Sequence, residues 1–410
     1  MKIHVLGCAA AGVLTAVLML TGGCATTAAG KSISDKAAAD GGAQKGAETV
    51  VKKDFSAYKT AEQLLEHLTL EEKVAQLFVI RPEQLDFSLT PAQSQEMYKD
   101  GLKKVPERFA QAAADYPVGG FILFGKNIES PEQLRALTSD LARISAVPPV
   151  MAVDEEGGRV ARLARSERFF LPQFKNMAAV GRTGDPENAR GAGQIIGGYL
   201  LSYGFTVDFA PVADVNTNPE NIVIGNRAFG SDPEVAAGMV RAFLSGLHST
   251  GMKGCIKHFP GHGDTKGDTH ADYVAVDKSW DELKRCELIP FVKNLDVTDC
   301  VMVAHVTLTK AAHDGYPASL SRELITGRLR GELGYDGVVL TDALAMGAIE
   351  KNYGSGEAAV LAFEAGNDIL LMPMDFVAAY NAVLEAVRRG RISMRRLDQS
   401  VMRILRLKDF

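Results

Sequence analysis

The densest group of chemically capable side chains lies in one glycine-rich segment. It runs from Lys257 to Asp264 with the sequence KHFPGHGD and continues to Asp268-Thr269-His270. A carboxylate beside an imidazole orients the ring and favours its protonated form. Asp268 and His270 are therefore a candidate general acid/base pair for chemistry near neutral pH.

Two metal-binding interpretations of this segment are disfavoured. His258 and His262 have the four-residue spacing of a zinc-binding helix, but Pro260 and the glycines near it oppose a helix, and the His-Glu-x-x-His pattern is absent. The stretch from Asp264 to Asp268 lacks the alternating acidic ligands of an EF-hand calcium loop. We therefore expect a site without a metal and without a cofactor.

Short apolar runs alternate with longer segments of helical spacing over most of the chain. Near-continuous apolar runs are typical of parallel strands that are covered on both faces. The eight runs are Leu77–Ile80, Val118–Phe124, Val150–Val153, Val207–Ala210, Gly254–Lys257, Val301–His305, Val338–Thr341 and Ile369–Met372. Eight strand–helix units predict an α/β fold, a (β/α)8 TIM-type barrel in one domain. An open doubly wound sheet is the alternative, but no Gly-x-Gly-x-x-Gly follows the first run.

Two helix starts carry capping signals. The sequence from Thr69 to Glu72 is a capping box, in which each side chain bonds to the backbone N–H of the other residue. Ser130 precedes Pro131, a favoured pair at a helix start, and apolar residues follow at helical spacing. That apolar stripe consists of Leu134, Leu137, Leu141 and Ile144. The spacing predicts an amphipathic helix against the sheet.

Polar residues collect where the apolar runs end, and in a barrel of this type that rim carries the active site. These residues are Gly125-Lys126-Asn127, Asp154, Asp214, Lys257-His258, His305 and Asp342. We therefore predict a pocket for a polar ligand at this rim. Asp214 is expected to be a buried hydrogen-bond acceptor, and His305 either lines the pocket or fills a strand end. Glu155 and Glu156 are expected to orient Arg159 or neighbouring loops.

The beginning of the chain has the pattern of an export signal. Lys2 precedes the apolar run Val5–Leu20, which small residues and Cys24 follow, as in a secretory signal peptide. Cysteine directly after small residues resembles a bacterial lipobox, although Thr21 stands where leucine is usual. We predict a lipoprotein signal peptide over residues 1–23, a flexible linker over 24–58 and the barrel over 59–410. A plain cleaved signal or an uncleaved anchor is the alternative.

Composition narrows the class of protein. Of 410 residues, 46% are hydrophobic and 23% are charged, which argues against intrinsic disorder, collagen and a coiled coil. Lys and Arg number 45 against 50 Asp and Glu, and the net charge of −5 offers no electrostatic argument for nucleic acid. We expect an exported monomer that binds a small molecule. Its expected membrane contact is the lipid on Cys24, which would attach it to the bacterial cell envelope.

The motifs at the strand ends resemble those of family 3 glycoside hydrolases, in particular the β-N-acetylglucosaminidase branch. The similarity follows the order of the family's motifs over roughly residues 65 to 410. The matching stretches are Val153–Val160, Phe209–Val215, Gly225–Phe229, Lys257–Gly263 with Asp268-x-His270, and Gly337–Asp342. The resemblance implies a retaining β-glycosidase on a TIM-type barrel.

The resemblance also implies a role for each candidate residue. Asp342 would attack the anomeric carbon, and His270, held by Asp268, would protonate the leaving oxygen and then activate water. Imidazole suits this role near neutral pH better than a carboxyl group, whose ordinary pKa is about 4. The residues implied to bind the terminal N-acetylglucosamine (GlcNAc) are Asp154, Arg162, Arg227, Lys257 and His258.

Two features depart from the family pattern. Ala343 follows Asp342 where the family often has a second aspartate, so Asp342 is the sole carboxylate at that point. The export signal separates this chain from family members that recycle muropeptides in the cytosol. We therefore expect an oligosaccharide or muropeptide substrate outside the cytoplasm, such as peptidoglycan fragments or chito-oligosaccharides. A family 3 β-glucosidase or mixed-specificity exo-glycosidase and a non-catalytic sugar-binding lipoprotein are the alternatives.

Overall fold

Eight parallel strands form the centre of the computed structural model, which describes residues 55, 57–96, 101–265 and 274–410. The strands are β1 (Phe78–Ile80), β2 (Gly120–Ile122), β3 (Val150–Val153), β4 (Val207–Asp208), β5 (Lys253–Phe259), β6 (Cys300–Val303), β7 (Val338–Thr341) and β8 (Leu370–Leu371). All of their residues except Lys253 are buried, as expected for strands covered on both faces. Each strand lies in or overlaps one of the apolar runs, so the strand prediction is confirmed.

The sheet closes on itself. Its order is β8-β1-β2-β3-β4-β5-β6-β7, and hydrogen-bonded neighbours are parallel. Between β7 and β8, the Val339 carbonyl accepts from the Ile369 N–H at 3.1 Å, and the Ile369 carbonyl accepts from the Thr341 N–H at 3.2 Å. The predicted (β/α)8 barrel is therefore confirmed.

Helices connect the barrel strands. The α-helices are Ala61–His67, Leu70–Ala75, Pro91–Glu96, Phe109–Asp115, Pro131–Ile144, Met177–Gly181, Pro186–Ser202, Pro233–His248, Trp280–Lys284, Ile289–Val292, Gly347–Glu350, Ser355–Ala365, Phe376–Arg388 and Met394–Leu407. Short 3-10 turns lie at Pro82–Leu85, Gly125–Asn127, Gly225–Arg227 and Ala318–Leu320, and Glu323–Glu332 is a π-helix. A separate parallel pair, Val274–Val276 with Val306–Leu308, follows β5 and β6.

Both predicted helix starts are confirmed. Thr69 and Glu72 form the reciprocal capping box, with a 3.2 Å bond to the Glu72 N–H and a 2.8 Å bond to the Thr69 N–H. Ser130 Oγ accepts from the Gln133 N–H at 3.1 Å and begins the helix Pro131–Ile144. The stripe on this helix is buried at Leu134, Leu137 and Leu141.

The chain ahead of β1 also contacts the core. Phe55 is buried, and the ring of Tyr58 lies 4.3 Å from the ring of His67. The described residues belong to one compact unit, which spans residues 50–410, and residues 1–49 lie outside the described part. The predicted signal peptide and Cys24 therefore lie outside the described residues. In the described ranges, helices long and apolar enough to cross a bilayer are absent.

Three arginines converge on one buried carboxylate directly before β8. Asp368 is fully buried and lies 2.6 Å from Arg330, 3.4 Å from Arg403 and 3.5 Å from Arg396. Arg396 and Arg403 both belong to the helix Met394–Leu407. Since a buried charge is tolerated only when it is paired, Asp368 joins the last helix of the chain to the barrel.

Asp368→Ala should lower the free energy of unfolding by about 3–5 kcal/mol, because the largely buried guanidinium groups of Arg330, Arg396 and Arg403 lose the carboxylate that they share. Chemical denaturation followed by circular dichroism measures this loss. The matched control is Asp336→Ala, since Asp336 is 84% exposed and pairs with Arg403 at the surface. That variant should lose less than about 1 kcal/mol, and equal losses in the two variants would contradict the structural role of Asp368.

Candidate active site

The carboxyl ends of several strands meet at one cavity. Asp154 follows β3, Lys257 and His258 lie on β5, and Asp342 follows β7. The cavity measures about 140 Å³ and is lined by Asp154, Glu156, Val160, Arg162, Val223, Ile224, Arg227, Lys257, His258, His262, Met302 and Asp342. The structure therefore brings together all six predicted site residues that lie in its described part.

Asp154 lies between two cations. Its carboxylate is 2.6 Å from Lys257 Nζ and 3.4 Å from Arg162 Nη2. Burial favours the neutral acid, but the positive charges of Lys257 and Arg162 outweigh it and lower the pKa of Asp154. Asp154 is therefore an ionised acceptor at neutral pH and can receive hydrogen bonds from two hydroxyl groups.

Glu156 is the carboxylate partner of two cations in the cavity wall, Arg227 and Lys257. It accepts both hydrogen bonds of the Arg227 fork, from Nε at 2.8 Å and from Nη2 at 2.7 Å, and it also lies 2.7 Å from Lys257 Nζ. Burial would raise the pKa of Glu156, but Arg227 and Lys257 hold it well below its usual range. Two carboxylates thus neutralise two cations, Lys257 and Arg227, in a buried network.

Glu155 organises the loop that carries Arg162. Its carboxylate accepts hydrogen bonds from the backbone N–H groups of Leu163 and Ala164 and from the Tyr199 hydroxyl, each at 2.9 Å, and from the Arg162 N–H. Burial raises the pKa of Glu155, and these donors offset part of that rise. The prediction that Glu155 orients a neighbouring loop is confirmed.

Arg159 binds backbone carbonyls of the loop after β4 and has no hydrogen bond to Glu155 or Glu156 among the described contacts. Its Nη2 donates to the Ile222 carbonyl at 2.7 Å and to the Ile224 carbonyl at 3.2 Å. These bonds fix the segment that precedes Arg227. The loops after β3 and β4 are therefore connected by Arg159, whereas Glu155 and Glu156 have their own hydrogen-bond partners.

Asp214 positions His258. It is fully buried, with Oδ2 2.7 Å from His258 Nδ1, and its Oδ1 accepts from the His262 N–H at 2.7 Å. Burial would raise the pKa of Asp214, but His258 lowers it. The other ring nitrogen of His258, Nε2, lies 3.3 Å from Arg227 Nη2. The prediction of Asp214 as a buried acceptor is confirmed.

Asp342 is held at the tip of β7 by its backbone. Its N–H donates to the Val303 carbonyl at 2.9 Å, and its Oδ1 accepts from the Ala343 N–H at 2.8 Å. His305 is fully buried, 2.9 Å from the Ala343 carbonyl through Nε2 and 2.7 Å from Ser319 Oγ through Nδ1. Of the two alternatives for His305, the structure favours the filled strand end, where the ring fixes the backbone after Asp342.

The predicted acid/base pair lies outside the described residues. Asp268 and His270 fall in the gap between Thr265 and Val274. Before this gap, Thr265 Oγ1 lies 2.8 Å from Nδ1 of His262, which lines the cavity. The described chain therefore passes along the cavity edge before the gap, and the roles of Asp268 and His270 remain predictions.

A second cavity of about 290 Å³ adjoins the first. The two share Asp154, Arg162, Met302 and Asp342. The remaining walls of the second cavity are Gln95, Ile122, Phe124, Phe209, Ala343, Ala345, Met346, Leu371 and Met372. We call the first cavity the polar lobe. We call the second the apolar lobe, because its described unshared side chains are apolar except for that of Gln95. Because the four shared residues border both lobes, the two lobes lie side by side.

Sequence reasoning missed three contributors to this site. The sequence predicts that Glu156 orients a loop, whereas the structure places it against Arg227 and Lys257, and its position in the motif with Asp154 is a usable signal for that role. The sequence predicts no site role for Gln95 or for Phe124, whose ring centroid lies 5.4 Å from the Arg162 guanidinium. Neither has a local sequence signal, because each meets the site through contacts across the barrel.

The fold and the site together define a class of protein, a parallel barrel with a charged cavity at the carboxyl ends of its strands. Residues 69–407 match the family model for the glycosyl hydrolase family 3 N-terminal domain. The chain belongs to glycosyl hydrolase family 3.

Similar proteins of known name agree with this membership. The chain is 31% identical over 385 residues to beta-hexosaminidase A of Pseudoalteromonas piscicida, which covers 86% of this chain and 63% of that protein. It is 37% identical over 278 residues to a beta-hexosaminidase of Pseudomonas aeruginosa, covering 67% of this chain and 81% of that protein.

A solved structure is similar over most of the barrel. The family 3 beta-N-acetylglucosaminidase from Paenibacillus sp. str. FPU-7 is 40% identical with a TM-score of 0.75, covering 83% of this chain and 62% of that chain. This chain therefore spans less than two thirds of the Pseudoalteromonas protein and of the Paenibacillus chain.

Glu156→Gln should destabilise the protein near neutral pH and flatten the acid limb of its stability curve. Because the pKa of Glu156 is lower in the folded than in the unfolded chain, where it is near 4.5, its ionisation stabilises the fold above that pH. This contribution is lost as the pH falls below 4.5 towards the folded-state pKa. Unfolding free energies from about pH 3 to pH 7 measure it.

In the variant, Arg227 and Lys257 lose a charged partner, and the cost near neutral pH should be about 3–5 kcal/mol. Glu187→Gln is the control, since Glu187 is 66% exposed and pairs with Arg190 at the surface. Identical pH slopes in Glu156→Gln and the wild type would contradict the assignment of a strongly lowered pKa to Glu156.

Proposed function

We propose that the protein is a retaining exo-β-N-acetylglucosaminidase that releases terminal non-reducing β-GlcNAc. The observation that carries this proposal is that Asp342 borders the polar lobe together with Asp154, Lys257, Arg227 and His258. A carboxylate that can act as nucleophile thus shares a cavity with donors and acceptors for sugar hydroxyls. The names of the similar proteins, beta-hexosaminidase and beta-N-acetylglucosaminidase, support the same activity.

The polar lobe is prepared for a sugar before one binds. Lys257 is held by Asp154 and Glu156, and Arg227 by Glu156, so these cations keep their positions without a ligand. Hydrogen bonds that such cations donate to sugar hydroxyls contribute about 1.5–3 kcal/mol each. We assign Asp154, Arg162, Arg227, Lys257 and His258 to binding of the terminal GlcNAc. Fixed partners reduce the ordering cost of binding.

The proposed reaction has two displacement steps. Asp342 attacks the anomeric carbon as the glycosidic C1–O bond breaks, and His270 gives its proton to the departing oxygen. Asp268 orients the His270 ring. In the second step His270 takes a proton from water, the water oxygen bonds to C1, and the carboxylate of Asp342 leaves. Two inversions at C1 retain the β configuration.

We propose peptidoglycan fragments or chito-oligosaccharides as substrates and a monomer as the working form. The location proposed is the bacterial cell envelope, facing the periplasm or the surface, with lipid on Cys24 as the membrane contact. The support for this location is the sequence pattern of residues 1–24. More than one acyl chain is needed for stable attachment, as a bacterial lipoprotein carries.

The wild type should cleave aryl β-GlcNAc faster than aryl β-glucoside, with the β anomer of the product appearing first by NMR. Asp342→Asn should lower the turnover number by at least about 10⁴-fold, because the nucleophile is lost with little change in volume. GlcNAc binding measured by calorimetry should persist in this variant. Faster glucoside cleavage by the wild type would favour a family 3 β-glucosidase, and unchanged turnover in Asp342→Asn would contradict the nucleophile assignment.

His270→Ala is the matched comparison for Asp342→Asn. Activated aryl substrates leave without much protonation, so this variant should lose most on chitobiose and least on a dinitrophenyl glycoside. Equal losses on both substrates would argue against the acid role of His270. Absence of hydrolysis by the wild type on every glycoside would favour a sugar-binding lipoprotein.

Cys24→Ala should release the full-length protein from the membrane fraction, because the thiol that would carry the lipid is removed. Fractionation of expressing bacteria, followed by immunoblotting, measures this change. Ala25→Ser, at the next position of the chain, is the control and should stay with the membranes. Membrane association of Cys24→Ala at the wild-type level would refute the lipid anchor.

A further inference from the structure

We propose that the apolar lobe receives the C6 arm of the terminal sugar and has room for a short acyl ester on the C6 hydroxyl. The protein would then cleave 6-O-acylated as well as unsubstituted β-GlcNAc. This inference rests on the proposed function, since it takes the ligand to be a β-D-pyranoside whose anomeric carbon lies above Asp342.

Asp342 and Asp154 define the direction in which the sugar lies. They follow β7 and β3, and three strands separate β7 from β3 in each direction around the barrel, so the two carboxylates stand on opposite sides. C1 and C4 are opposite corners of a pyranose ring. A sugar with C1 at Asp342 therefore directs its C4 hydroxyl towards Asp154.

Handedness then determines which edge of the ring faces each lobe. Right-handed crossovers place β1 to β8 in counterclockwise order when the barrel is viewed from the carboxyl ends of its strands. In a β-D-pyranoside viewed from its β face, C1 to C5 run clockwise. With the α face towards Asp342, C2 and C3 lie towards β5 and β6, and C5 and C6 lie towards β8, β1 and β2.

The two lobes carry chemistry that suits these edges. His258 and Lys257 on β5 belong to the polar lobe, where C3 presents a hydroxyl and C2 presents the acetamide. Ile122 on β2 and Leu371 on β8 belong to the apolar lobe, where C5 and C6 present mainly C–H groups. The polarity of the two walls thus supports the same orientation of the sugar ring as the handedness of the barrel.

The apolar lobe is larger than a hydroxymethyl group needs. It measures about 290 Å³ against about 140 Å³ for the polar lobe. Its wall includes one unused donor, because Gln95 Nε2 is buried without a hydrogen-bond partner while Gln95 Oε1 accepts from Arg81 Nη1 at 3.2 Å. A buried donor without a partner costs about 1–3 kcal/mol, so a ligand acceptor at this point is favoured.

An acyl ester matches this environment. It offers one carbonyl acceptor for Gln95 and an apolar chain for walls such as Phe124 and Met372. The leaving group would not occupy the apolar lobe, because in a displacement by Asp342 it departs from the opposite face of C1, away from the barrel. The lobe therefore serves the sugar ring itself, at its sixth carbon.

The test compares 4-nitrophenyl β-GlcNAc with its 6-O-acetyl derivative. The wild type should cleave both with kcat/KM values within about 10-fold of each other. Ala345→Leu places a larger side chain in the apolar lobe and should lower kcat/KM for the acetylated substrate by about 100-fold more than for the unsubstituted one. Circular dichroism and turnover of the unsubstituted substrate show that the variant is folded.

Gln95→Met tests the donor, since it keeps the length of the side chain and removes the amide. It should lower kcat/KM for the acetylated substrate by about 10-fold relative to the unsubstituted one. Gln93→Met is the control, because Gln93 lies exposed on the same helix and outside the lobe. Equal effects of Gln95→Met and Gln93→Met would overturn the role of Gln95.

Two further results would overturn the inference and leave the proposed function intact. One is cleavage of 4-nitrophenyl β-GlcNAc by the wild type with no cleavage of the 6-O-acetyl derivative. The other is an equal loss on both substrates in Ala345→Leu. Failure of the wild type to cleave any GlcNAc substrate would instead overturn the proposed function.

Discussion

The site depends on one buried ion network. Lys257 lies between Asp154 and Glu156, and Glu156 also binds both arms of the Arg227 fork. None of these charges can be buried alone at an acceptable free energy, because desolvation of an unpaired ion costs several kcal/mol. The network forms only when β3, β5 and the loop after β4 stand in their native order. Folding of the barrel and assembly of the charged cavity are therefore the same event.

Buried acceptors beneath the network hold the backbone that carries it. Asp214 binds the His258 ring and the N–H of His262, and Glu155 binds the N–H groups of the loop that carries Arg162. These contacts leave the charged groups little freedom before a ligand arrives. In an environment with little water, such fixed charges interact strongly with a sugar and with the charge that develops during its displacement. The proposed glycosidase activity uses this preorganisation.

The closed barrel also places Asp154 and Asp342 on opposite sides of the cavity, which the proposed binding of a sugar between them requires. The wall on one side of them includes Glu156, Arg227 and Lys257, whereas the wall on the other side is mainly apolar. A chiral ligand would then fit in one orientation. Specificity would then arise from the sugar's two edges meeting two different chemistries. Among the described residues, Gln95 is the one polar side chain in the part of the apolar lobe's wall that the polar lobe does not share.

The sequence by itself determined the barrel, because buried parallel strands must be apolar throughout and the helices between them must carry one apolar face. It also located Asp154, Lys257, His258 and Asp342, because strand ends in such a barrel meet at one rim. Only the tertiary structure decided that Glu156 neutralises Arg227 and that His305 supports the backbone after Asp342. These partners are 71 and 38 residues apart in the chain, and distances of that kind are set by strand order and packing, for which local sequence patterns carry no signal.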